Sequence, residues 1–183
     1  HCDNTLSVSF KSSKQPHAQL SDSPVEQLKT LTELYRFVTE ITNDCLWEWN
    51  LLTHEIFWID GGHKRIFGYQ VENTLIPQSF WEQCIHPEDK QQVLQSLKNT
   101  LAKKLSVKWE INYRFKASNG NYLYVHDRGH LIRGEDGKVI RIIGATQNIT
   151  EKTLLEVKLA NLRLARQKEI TDAVFKAQEN ERE

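Results

Sequence analysis

The side chains that could do chemistry in this 183-residue chain are few and scattered. Cys2, Cys45 and Cys84 are odd in number and far apart, with no CxxC and no zinc spacing. They read as reduced thiols of a cytoplasmic chain, and no metal site is expected. His86 is the histidine to weigh as a haem ligand. His126 and His130 flank Arg128 on one strand face, where imidazoles could sense pH. A solvated strand face is the plainer account of them. Glu88-Asp89 pairs two carboxylates, but behind Pro87 they read as acid charge at a helix start. Cys84 has no flanking base to activate it and reads as a small packing residue. With no Gly-rich phosphate loop and no nucleophile motif, no catalytic residue is expected.

Aromatic residues are the richer signal, with five Trp, five Tyr and seven Phe. Trp47, Trp49, Trp58, Trp81 and Trp109, with Ile111 and Tyr113, form a candidate pocket for a small molecule. Plain core packing explains the same residues. Both readings stay open, and the cofactor is unknown.

Lys+Arg and Asp+Glu are both 24, so the formal net charge is zero. That excludes a strongly basic nucleic-acid binder and a polybasic membrane anchor. No apolar run reaches the length of a membrane span, and no signal peptide is visible. The chain has no Met and ends on a polar stretch, so it reads as a piece of something longer.

Residues 1–22 are polar and aperiodic, a flexible lead-in. Ser23-Pro24 reads as a helix start, and Val25, Leu28, Leu31, Leu34, Tyr35, Val38 and Ile41 recur at helical spacing. This predicts an amphipathic helix over 23–43. From Cys45 the period becomes two, and a hairpin is predicted through Leu52-Thr53-His54. Residues 63–86 read as two or three short helices with no strand. Pro87 opens an amphipathic helix with Val93, Leu94, Leu97 and Leu101 on its apolar stripe. Three strands follow, joined by turns at Asn119-Gly120 and Asp136-Gly137. The first has Val107, Trp109, Ile111, Tyr113 and Phe115 on one face.

Two strands, a helical insert and a three-strand meander give an α+β chain with a five-stranded antiparallel sheet. Over 44–149 this order resembles the PAS fold. Trp49-Asn50-Leu51, Trp58 and Ile66-Phe67-Gly68-Tyr69 resemble the opening of a PAS domain. Ile85-His86-Pro87-Glu88-Asp89 resembles the family's motif before its long helix. Tyr113-Arg114, Asn119-Gly120, Tyr124 and Gly144 fit its PAC half. Asn148-Ile149-Thr150-Glu151 resembles the Asp-Ile-Thr signature that joins PAS domains to output helices, with Asn in place of Asp. The resemblance makes His86 part of a structural corner, so haem is not expected. It also argues against flavin photochemistry of the LOV type, because residues 61–69 carry no cysteine.

From Thr150 to Glu183 there is no Gly or Pro, and seven acids balance seven bases. Leu155, Leu159, Leu162, Ile170, Val174 and Ala177 make a thin apolar seam that breaks strict heptad spacing at Arg166. So thin a seam needs a partner, most simply a second copy, and 150–183 is expected to be a signalling coiled coil. Ile170–Val174 and Ala177–Glu183 are similar to the start of the dimerisation and phosphoacceptor region of NarX/DesK-like sensor histidine kinases. That resemblance implies a parent with kinase domains, a response regulator as partner, and possible membrane attachment outside this stretch. Asn148, Ile149, Thr150 and Glu151 are the expected transmission segment, with Thr150 as the cap of the exit helix. Alternatives are a ligand-free dimerisation scaffold, or the input domain of a cyclic-dinucleotide synthase or a DNA-binding regulator.

Overall fold

The computed structural model describes residues 23–181. The expected lead-in over 1–22 lies outside the described residues, as do Arg182 and Glu183 at the end of the kinase-like stretch. Residues up to Tyr35 and residues Arg36–Glu183 form separate units. Helix α1 (Pro24–Thr42) begins at the proline whose missing N–H costs nothing there. It ends at Asn43, which takes a left-handed φ of 56°. Strands β1 (Asp44–Asn50) and β2 (Glu55–Trp58) form the predicted hairpin, with Trp47 opposite Trp58 and Trp49 opposite Ile56.

The insert departs from expectation. It holds α2 (Gly62–Phe67), then β3 (Thr74–Pro77), then α3 (Gln78–Cys84). The sheet therefore has six strands, not five. β3 pairs antiparallel with β2, with Ile76 opposite Ile56. Four residues are too few to show alternation, and Pro77 argues against a central strand. At the sheet edge a proline is tolerated, because no neighbour needs its N–H.

After the insert come α4 (Pro87–Ala102), β4 (Lys108–Lys116), β5 (Tyr122–Arg133), β6 (Val139–Asn148) and α5 (Thr150–Asn180). The strand order is β3-β2-β1-β6-β5-β4, so the last strand returns beside the first. Asp44 lies opposite Gln147, which brings the start of β1 next to the end of β6. Val107 falls before β4 and is exposed, because the inward register starts only at Trp109.

The core lies between the sheet and the insert helices, and Trp49, Trp109, Phe67, Ile85 and Ile142 are among its fully buried side chains. Trp47 sits over two glycines that face each other across β5 and β6, Gly129 and Gly144. A Cβ on Gly144 would come within 2.4 Å of both the Trp47 ring and the Arg128 carbonyl. The indole fits because both strands lack a side chain at that point.

Candidate functional site

Both hairpin strands, α2, α3 and the meander contribute to one cavity. Trp47 and Trp49 reach it from β1, Trp58 from β2, His63 and Phe67 from α2, Trp81 from α3, and Trp109 and Tyr113 from β4. All five tryptophans of the sequence-based pocket therefore meet, and Tyr113 joins them. Ile111 does not line the cavity. It packs against the core at partial burial, because alternation predicts the face of a strand but not the depth. The rings stack and tilt on one another: Trp58 lies parallel to His63 at 4.0 Å, and Trp49 meets Trp81 at 5.0 Å. The space left is about 20 Å³, enough for one water-sized guest.

Two lining residues escaped the sequence reading, Asp127 of β5 and Thr146 of β6. Tyr113 OH donates to Asp127 Oδ2 at 2.6 Å, and Thr146 Oγ1 donates to Asp127 Oδ1 at 2.5 Å. Trp47 Nε1 reaches Asp127 Oδ1 at 3.1 Å and Thr146 Oγ1 at 2.9 Å. Trp81 Nε1 donates to Tyr113 OH at 2.9 Å. One polar network thus runs from α3 through β4 and β5 to β6 and β1. Its centre is a carboxylate only 2 % exposed. Burial pushes the Asp127 carboxyl up, while the bonds from Thr146, Tyr113 and Trp47 pull it back. Burial and the neighbouring Asp127 hold the Tyr113 phenol well above its ordinary value. The signal for Asp127 was present in the sequence. In β5 it shares the inward face with Val125 and Leu131, where a charged residue is out of place.

Two buried ring nitrogens at this cavity have no protein partner, Trp49 Nε1 and His63 Nδ1. Burial pushes the His63 pKa down to about 3, so this imidazole is neutral. Burial pushes the Cys45 and Cys84 thiols up, and Cys84 Sγ lies 3.4 Å from Tyr69 OH. Neither thiol is an activated nucleophile.

The remaining sequence candidates sit outside the cavity. His86 Nδ1 accepts from the Glu88 backbone N–H at 3.2 Å, so this histidine caps α4. Glu88 and Asp89 do more than favour the helix dipole. Asp89 Oδ2 accepts both the backbone N–H and the Nε of Arg114 at 2.9 Å, and Oδ1 accepts from Nη2 at 2.7 Å. Glu88 adds a bond to the same Nη2 at 2.8 Å. Hydrogen bonding to Arg114 holds both carboxyls below their ordinary values. The clamp ties the start of α4 to β4. His126 stands on the outer sheet face, with Nδ1 at 2.5 Å from Asn112 Oδ1 and Nε2 at 2.8 Å from Glu110 Oε1. Arg128 on that face pairs with Asp44 at 2.9 Å, and His130 is exposed.

At the end of β6 the sheet hands over to α5. Asn148 Oδ1 accepts from the Thr150 N–H at 3.0 Å and from the Thr150 hydroxyl at 2.6 Å. Thr150 Oγ1 in turn accepts the Tyr124 N–H of β5 at 2.9 Å, and the Ile149 N–H donates to the Tyr124 carbonyl at 2.8 Å. The cap position is therefore not Thr150, which is already the first helical residue. Ile149 holds that position and has no side-chain oxygen to offer. The Thr150 hydroxyl instead stitches the helix start to a neighbouring strand, a pairing no local pattern could reveal. Beyond this knot no residue of α5 is buried.

The comparisons agree with this geometry. Residues 56–146 match the family model described as the PAS fold. This chain contains a PAS domain. The PAS chain is 29 % identical over 101 residues to hybrid signal transduction histidine kinase A of Dictyostelium discoideum, covering 54 % of this chain and 4 % of that protein. It spans only that small part of the relative. A solved structure of a sensory box histidine kinase/response regulator from Burkholderia thailandensis has a TM-score of 0.62 at 23 % identity, covering 73 % of this chain and 98 % of that one. The N-terminal domain of a diguanylate cyclase with PAS/PAC sensor from Marinobacter aquaeolei has a TM-score of 0.53 at 23 % identity, covering 60 % and 98 %. At such identities the two structures speak for the fold. PAS domains are sensory and non-catalytic. Among the described residues no helix is long and apolar enough to cross a membrane, and no cluster of His, Cys, Asp and Glu is placed to hold a metal.

Proposed function

We propose that this chain is the PAS input module of a sensor histidine kinase, and that it passes a change in the sheet to the output through α5. The observation that carries the reading is the knot at Asn148–Thr150. It bonds the first residue of α5 to β5, whose Asp127 lies at the centre of the cavity network. A shift of β5 or β6 that follows occupancy of the cavity is thereby felt at the root of the helix.

The helix itself is the second element. At 31 residues it is about 46 Å long. Leu155, Leu159, Leu162, Ile170 and Val174 are between 45 % and 58 % exposed, and Ala177 is exposed as well. Beyond its root, a helix with no buried residue gains little from tertiary packing, which is where most helical stability comes from. Pairing with a second copy through this seam supplies it. The pair is the two-state element, and the downstream domain reads its register or rotation. A kinase parent, a response regulator as partner and a cytoplasmic setting follow from this reading. The test is sedimentation velocity of the chain beside its Leu155→Asp/Leu162→Asp variant. A concentration-dependent dimer that becomes a monomer in the variant supports the proposal, and an unchanged assembly state refutes it.

A second reading is favoured by the size of the cavity. At about 20 Å³ the core admits no organic ligand as it stands, which suits a dimerisation scaffold. The same module could also serve a cyclic-dinucleotide synthase or a DNA-binding regulator. The sequence that continues from α5 distinguishes those outputs.

A further inference from the structure

We infer that the cavity is a receptor for a small ammonium cation, with the Asp127 carboxylate as the group that selects it. The inference rests on reading the cavity as the sensory input site, and it names the class of input.

Three observations converge. First, Asp127 is a buried carboxyl without an ion-pair partner among the described residues. Its oxygens accept from Trp47, Tyr113 and Thr146, all neutral donors. Among the described residues no Lys, Arg or His forms an ion pair with it. The adjacent His126 pairs with Glu110, and Arg128 pairs with Asp44. Neutral donors satisfy lone pairs, but they leave the net charge uncompensated in an apolar surround. Second, the walls are aromatic. Trp47, Trp49, Trp58, Trp81 and Trp109 surround the space beside the carboxylate. The faces of such rings attract a cation, and the attraction grows when water is excluded. Third, His63 Nδ1 is buried without a protein partner, and its imidazole is neutral. In the Nε2–H tautomer that nitrogen is an acceptor, and it suits an N–H of the guest. Trp49 Nε1, the other unpartnered ring nitrogen, is a donor and takes no part.

Size narrows the class. A cavity of about 20 Å³ takes a guest of one heavy atom, and methylammonium is the upper end once the rings adjust. Ammonium carries the compensating charge and the N–H donors together. Potassium has the charge and a similar size but no N–H, and an alkali ion would find only the oxygens of Asp127, Thr146 and Tyr113 here.

The test uses the whole chain in amine-free phosphate buffer at neutral pH. It is titrated with ammonium chloride, methylammonium chloride or potassium chloride at constant ionic strength, and tryptophan fluorescence is read. The expected result is a saturable change with ammonium or methylammonium that potassium does not produce. Asp127→Asn, which keeps one oxygen as acceptor, should weaken that response about thirtyfold or more, the cost of removing one partner of a buried charge pair. Equal responses to all three salts, no saturable response to either amine, or undiminished affinity in a folded Asp127→Asn would overturn the inference. If Asp127→Asn fails to fold by circular dichroism, the contrast between ammonium and potassium on the unaltered chain decides alone. The assembly state measured on the α5 seam judges the sensory reading separately, so the two failures are distinguishable.

Discussion

The aromatic cavity and the exit helix are opposite solutions to the same problem of burying apolar surface. Around the cavity every tryptophan is at least 94 % buried, and three of the five indole N–H groups, those of Trp47, Trp81 and Trp109, find an oxygen. For Trp58 no such bond is needed to fix the ring, because it stacks on His63. Along α5 even the largest side chains remain half exposed. The core is determined by contacts inside one chain, whereas on the proposed reading the helix is completed by contacts with a second copy. Perturbing the first should change folding stability, and perturbing the second should change assembly with little effect on the fold.

The sharpest way to break that contrast is the seam. Leu155→Asp with Leu162→Asp should abolish self-association, read by sedimentation, while the thermal unfolding of the sheet barely moves. Next in size is the glycine platform. Gly144→Ala places a methyl 2.4 Å from the Trp47 ring and from backbone, and overpacking of this kind costs about 1–3 kcal/mol or more. Urea unfolding should show that loss with no change in the dimer constant of the folded protein.

His63 sharpens the comparison through pH. Its folded pKa of about 3 lies below the ordinary 6.5, so the unfolded chain takes up the proton first as pH falls. The stability that goes with neutral His63 is complete above about 6.5 and is lost progressively down to about 3. His63→Gln should flatten that slope in acid unfolding, and the α5 seam should show no matching slope. A smaller effect is expected at the clamp. Asp89→Asn weakens its bonds to Arg114 and should cost about 1–2 kcal/mol at neutral pH. Because the Asp89 value is lowered in the fold, its contribution is present above the unfolded carboxyl value and fades as pH falls below it. The smallest is Thr150→Val, which removes one acceptor for the Tyr124 N–H and should cost about 1 kcal/mol. Faster hydrogen exchange at Tyr124 and in the first turn of α5 is the readout.

Much of this was legible in the residues. The alternation of β4, the Asn-Gly and Asp-Gly turns and the Pro87 helix start are local signals, and the structure keeps them. What stayed hidden depends on partners far away in the chain. β3 is a strand because Ile76 meets Ile56, and four residues carry no period of their own. Thr150 has the composition of a cap, yet its hydroxyl goes to Tyr124, 26 residues earlier. Asp127 was the missed opportunity: its inward register is readable from Val125 and Leu131, but its three donors come from β1, β4 and β6. On α5, Leu154, Val157, Leu164 and Phe175 are exposed away from the chosen seam, so apolar residues alone do not mark a single face.

Hydrogen exchange over a dilution series tests the central contrast most directly. The account predicts that protection of the β1, β5 and β6 amides is independent of protein concentration, while protection along α5 from Leu155 to Ala177 rises with it. Protection of α5 that is strong and unchanged from the most dilute sample to the most concentrated would mean that the helix is stable without a partner, and would contradict the account.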